Sequence, residues 1–242
     1  MNKLNQISDF IELCDTLHQE WKKHQFKEDT VLSNLFQLDF SPEPYFILKN
    51  GNNPLFVLLT NPGSGMDFQH IDNHKEVNYN KFQEILGTIY TSETFRNEKG
   101  AAPAYRRLIK SIEFAQELGY NGVVNIETIP FHSETLSKSK ALKAIKESWV
   151  LFAYQNALKV YLKEKASLIV SACGSNETIS KNTISKSKWL TYQCDLAGIP
   201  LEQLNMKPLT TKNNKITSAL FSHQNKHIVL MMGSNNLPKI NN

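Results

Sequence analysis

"LFVLLTNPGSGMDFQH", residues 55–70, decides the fold. Leu55 to Thr60 form an unbroken apolar and β-branched run, and Asn61, Pro62, Gly63, Ser64 and Gly65 follow at once. A short apolar run cut off by turn residues reads as a buried strand, and strands covered on both faces belong to parallel sheets. In open parallel sheets ligands bind just beyond the carboxyl ends of the strands. Two glycines, a proline and an amide at that position mark a turn built to hold something.

Three further runs share this character: "GVVNIETIPF" at 122–131, "SLIVSACG" at 167–174, and "HIVLMM" at 227–232. "YFILKNGNNPLFVLLT" places a short edge strand before the first buried strand, turning around Asn50-Gly51. "NKITSALF" pairs with the last run. Between the strands, apolar residues recur at three- and four-residue steps. That spacing predicts helices over 4–22 (Leu4, Ile7, Phe10, Cys14, Leu17, Trp21), 79–90, 103–118, one long helix over 139–164 (Leu142, Ile145, Trp149, Phe152, Val160), and 186–196. Gly119 suits a C-terminal cap. The Ser/Lys/Thr/Asn stretch 179–188 reads as a flexible loop. Alternating strands and helices predict an α/β protein, a three-layer α/β/α sandwich with a central, mainly parallel four-stranded sheet. The 242 residues fit one domain, with an N-terminal helix over about 4–22 and a core over about 45–238.

Composition narrows the function. A net charge of +4 permits an anionic partner without demanding one. No apolar run reaches the roughly 20 residues of a membrane span. "MNKLNQISDF" has no signal-peptide core, and three widely spaced cysteines suit a reducing compartment, so a cytoplasmic monomer is expected. There is no GxGxxG, GxxxxGK[ST], HExxH, C-x-x-C or GxSxG, which counts against nucleotide cofactors, phosphate loops, metal catalysis and α/β-hydrolase chemistry. The expectation is therefore no cofactor and no metal. The strand ends carry amides, hydroxyls and backbone N–H groups, a set suited to reading a neutral heterocycle and orienting a water.

These segments resemble the uracil-DNA glycosylase superfamily. "LLTNPGSGM" is similar to the Asn-Pro-Gly strand-end motif of its single-strand-selective and mismatch-specific branches. "GVVNIETIP" matches the next core strand with its base-reading Asn, "LIVSACG" the penultimate core strand, and "HIVLMMGSNN" loosely the short loop after the last strand. The four occur in the family's order over residues 55–238. The resemblance implies a monofunctional DNA glycosylase with a uracil-DNA-glycosylase-like fold. It would hydrolyse the N-glycosidic bond of a flipped uracil-like or C5-modified pyrimidine, leaving an abasic site, with DNA as partner. Some members excise glucosylated hydroxymethylcytosine in phage defence.

By this resemblance Asn61 orients the water, although an Asx turn ahead of Pro62 would use the same side chain. Asn125 reads the base edge or bonds the local backbone. Phe68 stacks on the base or belongs to the core. Ser64, Gly65 and Met66 supply the pocket wall, with Ser64 alternatively capping the next helix. Gly63 stands where uracil-strict members carry a Tyr that blocks C5 substituents, so a C5-modified base would fit. The family's His loop is replaced by Met232, Gly233, Ser234 and Asn235. Ser234, Asn235 or backbone amides would then stabilise the leaving base, or His132 would contribute from the neighbouring loop; His132 also reads as structural or as a phosphate contact. Leu237 falls beside the family's DNA wedge position, and Arg106, Arg107 and Lys110 would meet phosphates or form a solvated helix face. Two rivals stand beside this reading. One is an N-glycosidic enzyme on a free nucleoside or nucleotide, with Glu127, Asp67 or Asp72 as the carboxylate near the sugar. The other is a degenerate glycosylase-fold module that only binds.

Overall fold

The computed structural model describes residues 3–63, 78–98, 101–172, 179–180, 183–184, 188–199, 205–212, 215–223 and 226–231. It is an α/β protein. In chain order the elements are α1 (Phe10–Lys22), α2 (Thr30–Leu35), β1 (Tyr45–Lys49), β2 (Pro54–Leu59), α3 (Tyr79–Tyr90), α4 (Glu93–Asn97), α5 (Ala102–Glu117), β3 (Gly122–Glu127), α6 (Lys138–Glu147), α7 (Trp149–Lys165), β4 (Leu168–Ala172), β5 (Ile179–Ser180), β6 (Thr183–Ile184), α8 (Lys188–Ala197), β7 (Asn205–Lys212), β8 (Lys215–His223) and β9 (Lys226–Met231).

The main sheet has seven strands, ordered β1-β3-β2-β4-β9-β8-β7. The four apolar runs are its parallel block, β3-β2-β4-β9. The expected four-stranded sheet is thus corrected to a larger mixed one, with β1 antiparallel to β3 on one side and, on the other, β8 antiparallel to β9 and β7 antiparallel to β8. Sequence periodicity misses β7. Its "NMKPLTTK" carries Pro208 and little apolar material, which a strand at the end of a sheet tolerates and a central one does not.

Strand order dictates which face each helix covers. The chain leaves β2, passes through α5, and returns as β3 on one side of β2. It then crosses β2 through α6 and α7 to enter β4 on the other side. Right-handed crossovers in opposite directions put their helices on opposite faces. Leu55, Val57 and Leu59 of β2 accordingly pack with Phe114 and Ala115 of α5. Phe56 and Leu58 face the other way, into a cluster with Phe10 and Leu17 of α1 and Tyr154 and Leu158 of α7. Each such fully buried side chain contributes about 1.5–3 kcal/mol of hydrophobic transfer energy. Helices on both faces give the α/β/α layering, and β2 is the strand at which the winding reverses.

The Asn50-Gly51 segment does not close a hairpin between β1 and β2. β1 pairs with β3, with Tyr45 opposite Ile126 and Ile47 opposite Val124, so β3 lies between two strands that are neighbours in sequence. The connecting segment crosses the start of β3 in close contact. A Cβ on Gly51 would lie 2.5 Å from backbone atoms of Asn121, which requires a glycine. Asn121 fastens the crossing: its Oδ1 accepts from Asn53 N at 2.9 Å and its backbone N donates to Asn53 O at 3.2 Å. The outer edge of β1 is closed by α3, where Tyr79 OH accepts from Tyr45 N and Gln83 Oε1 accepts from Ile47 N, each at 3.1 Å.

Two helix expectations and one loop expectation are also corrected. The first helix begins at Phe10, because Asp9 caps it by accepting from Glu12 N; a separate 3₁₀ turn, Lys3–Gln6, precedes it. The single helix over 139–164 is two helices, broken at Ser148, whose hydroxyl accepts from Leu151 N as an N-cap. Within the expected loop 179–188, Ile179–Ser180 pairs antiparallel with Thr183–Ile184. No helix among the described residues is long and apolar enough to cross a membrane.

Candidate active site at the carboxyl edge of the sheet

The segment following β3 runs beside the segment following β2 and is laced to it. Thr128 N donates to Leu59 O at 3.0 Å, Ile129 N to Thr60 O at 2.8 Å, and Ser133 N to Gly63 O at 2.8 Å. Asn61 is half-buried within this lacing, and its Nδ2 donates to Ser133 Oγ at 3.0 Å. One of its two amide groups is thereby fixed, and the orientation of the other follows. Gly63 has φ +82°, the left-handed region, and a Cβ there would meet no atom of the described residues within 4 Å. Whatever the space, an L side chain at this φ would strain the turn. Glycine at 63 is therefore explained by backbone conformation.

Asn125 is not at a strand end. It is the fourth residue of β3, wholly buried, and opposite Val57 rather than Asn61. The ladder with β2 continues to Leu59 opposite Glu127, so the strand runs two residues beyond the amide. Alternation puts Val123, Asn125 and Glu127 on the α5 face. Asn125 Nδ2 donates to Glu127 Oε1 at 3.4 Å. Three polar atoms on this side are buried without a hydrogen-bond partner: Asn125 Oδ1, Glu127 Oε2 and Arg107 Nε. Burial pushes the Glu127 carboxyl up to about 8, against the pull of the Arg107 guanidinium and of the Asn125 hydrogen bond; the Glu43 carboxylate adds to the rise.

His132 faces inward. It is fully buried, and its Nε2 lies 3.4 Å from Glu43 Oε1, while Tyr90 OH donates to the two Glu43 oxygens at 2.9 and 2.8 Å. It is Ser133, the next residue, that reaches Asn61. Burial beside Glu43 fits the structural reading of His132, and neither ring nitrogen has a hydrogen-bond partner among the described residues. Gln37 N donating to His132 O at 2.8 Å and Glu43 N donating to Pro130 O at 2.7 Å hold the loop after β3 against the segment before β1.

On the opposite face a chain of amides and hydroxyls joins helices to strand ends. Gln155 Nε2 on α7 donates to Thr128 O at 2.6 Å, and Tyr192 OH on α8 donates to Gln155 Oε1. Ser171 Oγ of β4 donates to Gln193 Oε1 on α8. Sequence reasoning passed over these residues, along with Glu43, Tyr90 and Ser133. One signal was present: Gln155 sits on the buried stripe of α7 with Leu151, Tyr154 and Leu158, where an uncommitted amide is costly.

α5 leads into the start of β3, so its amino end lies at the same carboxyl edge as Asn61. Arg106 and Lys110, four residues apart, are exposed on it. Arg107 is rotated about a quarter-turn away and is only partly exposed; its guanidinium acts electrostatically on Glu127, and its Nε is buried without a hydrogen-bond partner among the described residues. Ser64, Gly65, Met66, Asp67, Phe68, Asp72, Ser234, Asn235 and Leu237 lie outside the described residues. Among the described residues no group of three or more His, Cys, Asp or Glu is placed to hold a metal ion. No protein-family model, no curated protein and no solved structure matches this chain.

Proposed function

We propose that the protein is a monofunctional DNA glycosylase of the uracil-DNA glycosylase type, acting on a flipped uracil-like or C5-modified pyrimidine. The observation that carries this reading is the Asn61 carboxamide. It stands directly beyond the strand at which the winding reverses, the place where open α/β sheets bind ligands. Its Nδ2 is held by Ser133, which leaves Oδ1 as the acceptor for a water.

Breaking an N-glycosidic bond develops positive charge on the sugar and negative charge on the base. A carboxamide is a poor general base, so Asn61 acts by placing the water oxygen below C1′ while the sugar becomes electrophilic. Asn125 Oδ1, buried without a partner, supplies an acceptor for an N–H on the base edge. Gly63 carries no side chain, and no atom of the described residues lies within 4 Å of where its Cβ would be, which is compatible with a C5 substituent there. Arg106 and Lys110, exposed on α5, supply positive charge for the flanking phosphates.

The test is single-turnover base release, read by mass spectrometry, from uracil-containing oligonucleotides and from phage DNA carrying C5-modified cytosines. Wild type is expected to release a base from at least one of these. Asn61→Ala should slow release by at least about 100-fold, with DNA affinity changed less than about twofold, because orientation acts on the chemical step. If wild type releases nothing from any of them, or Asn61→Ala keeps the full rate, the reading is wrong.

A further inference from the structure

We propose that Glu127 is the acid of this site, giving the hydrogen on Oε2 to the departing base; the inference rests on the glycosylase reading above. Three observations lead to it. Glu127 closes β3 opposite Leu59, two residues short of Asn61 on the adjoining strand. Its side chain is 3% exposed and shares the α5 face with Asn125. Asn125 Nδ2 donates to Oε1, which fixes Oε1 as the acceptor oxygen and leaves Oε2 to carry hydrogen. Oε2 and the neighbouring Asn125 Oδ1 are both buried and unpartnered, so together they present one donor and one acceptor. The edge of a pyrimidine, whether N3–H with O4 or N3 with N4–H₂, presents the complementary pair.

The charged and titratable groups around Glu127 are Arg107 from α5, Glu43 from the segment before β1, and Tyr154 from α7, whose hydroxyl donates to the Glu127 carbonyl at 2.7 Å. Burial outweighs the attraction of Arg107, and the carboxyl stays protonated up to about pH 8. It can therefore serve as a proton donor at neutral pH, where an ordinary carboxylate could not. In the step itself, the C1′–N bond breaks and its electron pair leaves with the base. Oε2 gives its proton to the base, and the oxygen of the water held by Asn61 bonds to C1′. The proton shed by that water passes through solvent to restore the Glu127 carboxyl. The products are the free base and an abasic sugar.

The experiment compares wild type with Glu127→Gln, a neutral isostere that keeps a hydrogen-bond donor but has no transferable acid proton. Single-turnover release is measured from pH 6 to 10 on uracil-containing oligonucleotides and C5-modified phage DNA. Wild type should lose about tenfold in rate per pH unit above about pH 8, while Glu127→Gln should be about 100-fold slower at pH 7 and lack that alkaline limb. A wild-type infrared band from a protonated carboxyl should persist to about pH 8, which tests the acid even if the variant fails to fold. An active wild type with an unaffected Glu127→Gln, or with no protonated carboxyl at neutral pH, overturns this assignment and leaves the glycosylase reading standing. A wild type that releases no base overturns both.

Discussion

A single carboxyl can set the pH response of this fold. In the unfolded chain Glu127 titrates near its ordinary value of 4.5, and in the native state it is pushed up to about 8 by burial. Between those values the native state holds a proton that the unfolded state has released. The sign follows directly: Glu127 makes stability fall as pH rises through that window, by up to about 1.4 kcal/mol per unit, and its effect levels off below about 4.5 and above about 8. Glu127→Gln removes the ionisation. The variant is expected to gain stability over wild type as pH rises from 5 to 8, measured as urea midpoints across that range. A wild type and variant with parallel pH curves would show that the carboxyl is ionised in the native state. None of this was readable from "GVVNIETIP", because a glutamate at that position gives no sign of how deeply it is buried. Asn125 failed in the same way: the end of a strand depends on its partner, and here the ladder with β2 carries it two residues further.

At the scale of elements, Asp29 joins two helix starts. Oδ1 accepts from Val31 N and Leu32 N, each at 3.1 Å, as the N-cap of α2. Oδ2 accepts from Ser148 Oγ at 2.7 Å and from Val150 N at 3.4 Å at the start of α7. Ser148 then caps α7, so the break between α6 and α7 is held by a residue 119 positions away. Periodicity alone runs straight through Ser148, because the stripe Leu142, Ile145, Trp149, Phe152 keeps helical spacing across it. The parallel strands were legible because full burial demands continuous apolar runs, whereas the break depends on a partner distant in the chain. Asp29→Ala strips the cap from α2 and leaves the Ser148 hydroxyl buried without its acceptor. The expected cost is about 2–4 kcal/mol, with Asp29→Asn intermediate, read from urea unfolding. A loss below about 0.5 kcal/mol would show that the two helices start independently.

At the scale of the whole molecule, the parallel block and its reversal at β2 place the Asn61 turn, the laced loop after β3 and the amino end of α5 on one edge. That much followed from reading four apolar runs and asking what comes after each. The position of β1 did not. The Asn50-Gly51 pair suggests a turn between neighbours, and only the distant Asn121-Gly122 crossing shows that another strand separates them. This arrangement has a kinetic consequence. β1 and β2 emerge together in the chain, with a turn-forming pair between them, and two such strands close a hairpin in about 1–10 μs. Native pairing for β1 waits on β3, whose first residue lies 73 positions beyond Lys49 (122 minus 49) and which arrives only after α5. An early β1–β2 hairpin would have to reopen to admit β3, so the fastest contact in this region is an obstacle to the native one. Pulse-labelled hydrogen exchange during refolding should show β1 amides gaining stable protection no earlier than those of β3. Stable protection of β1 before β3 would mean that β1 is held by a partner other than β3, and that the non-native hairpin persists until β3 displaces it.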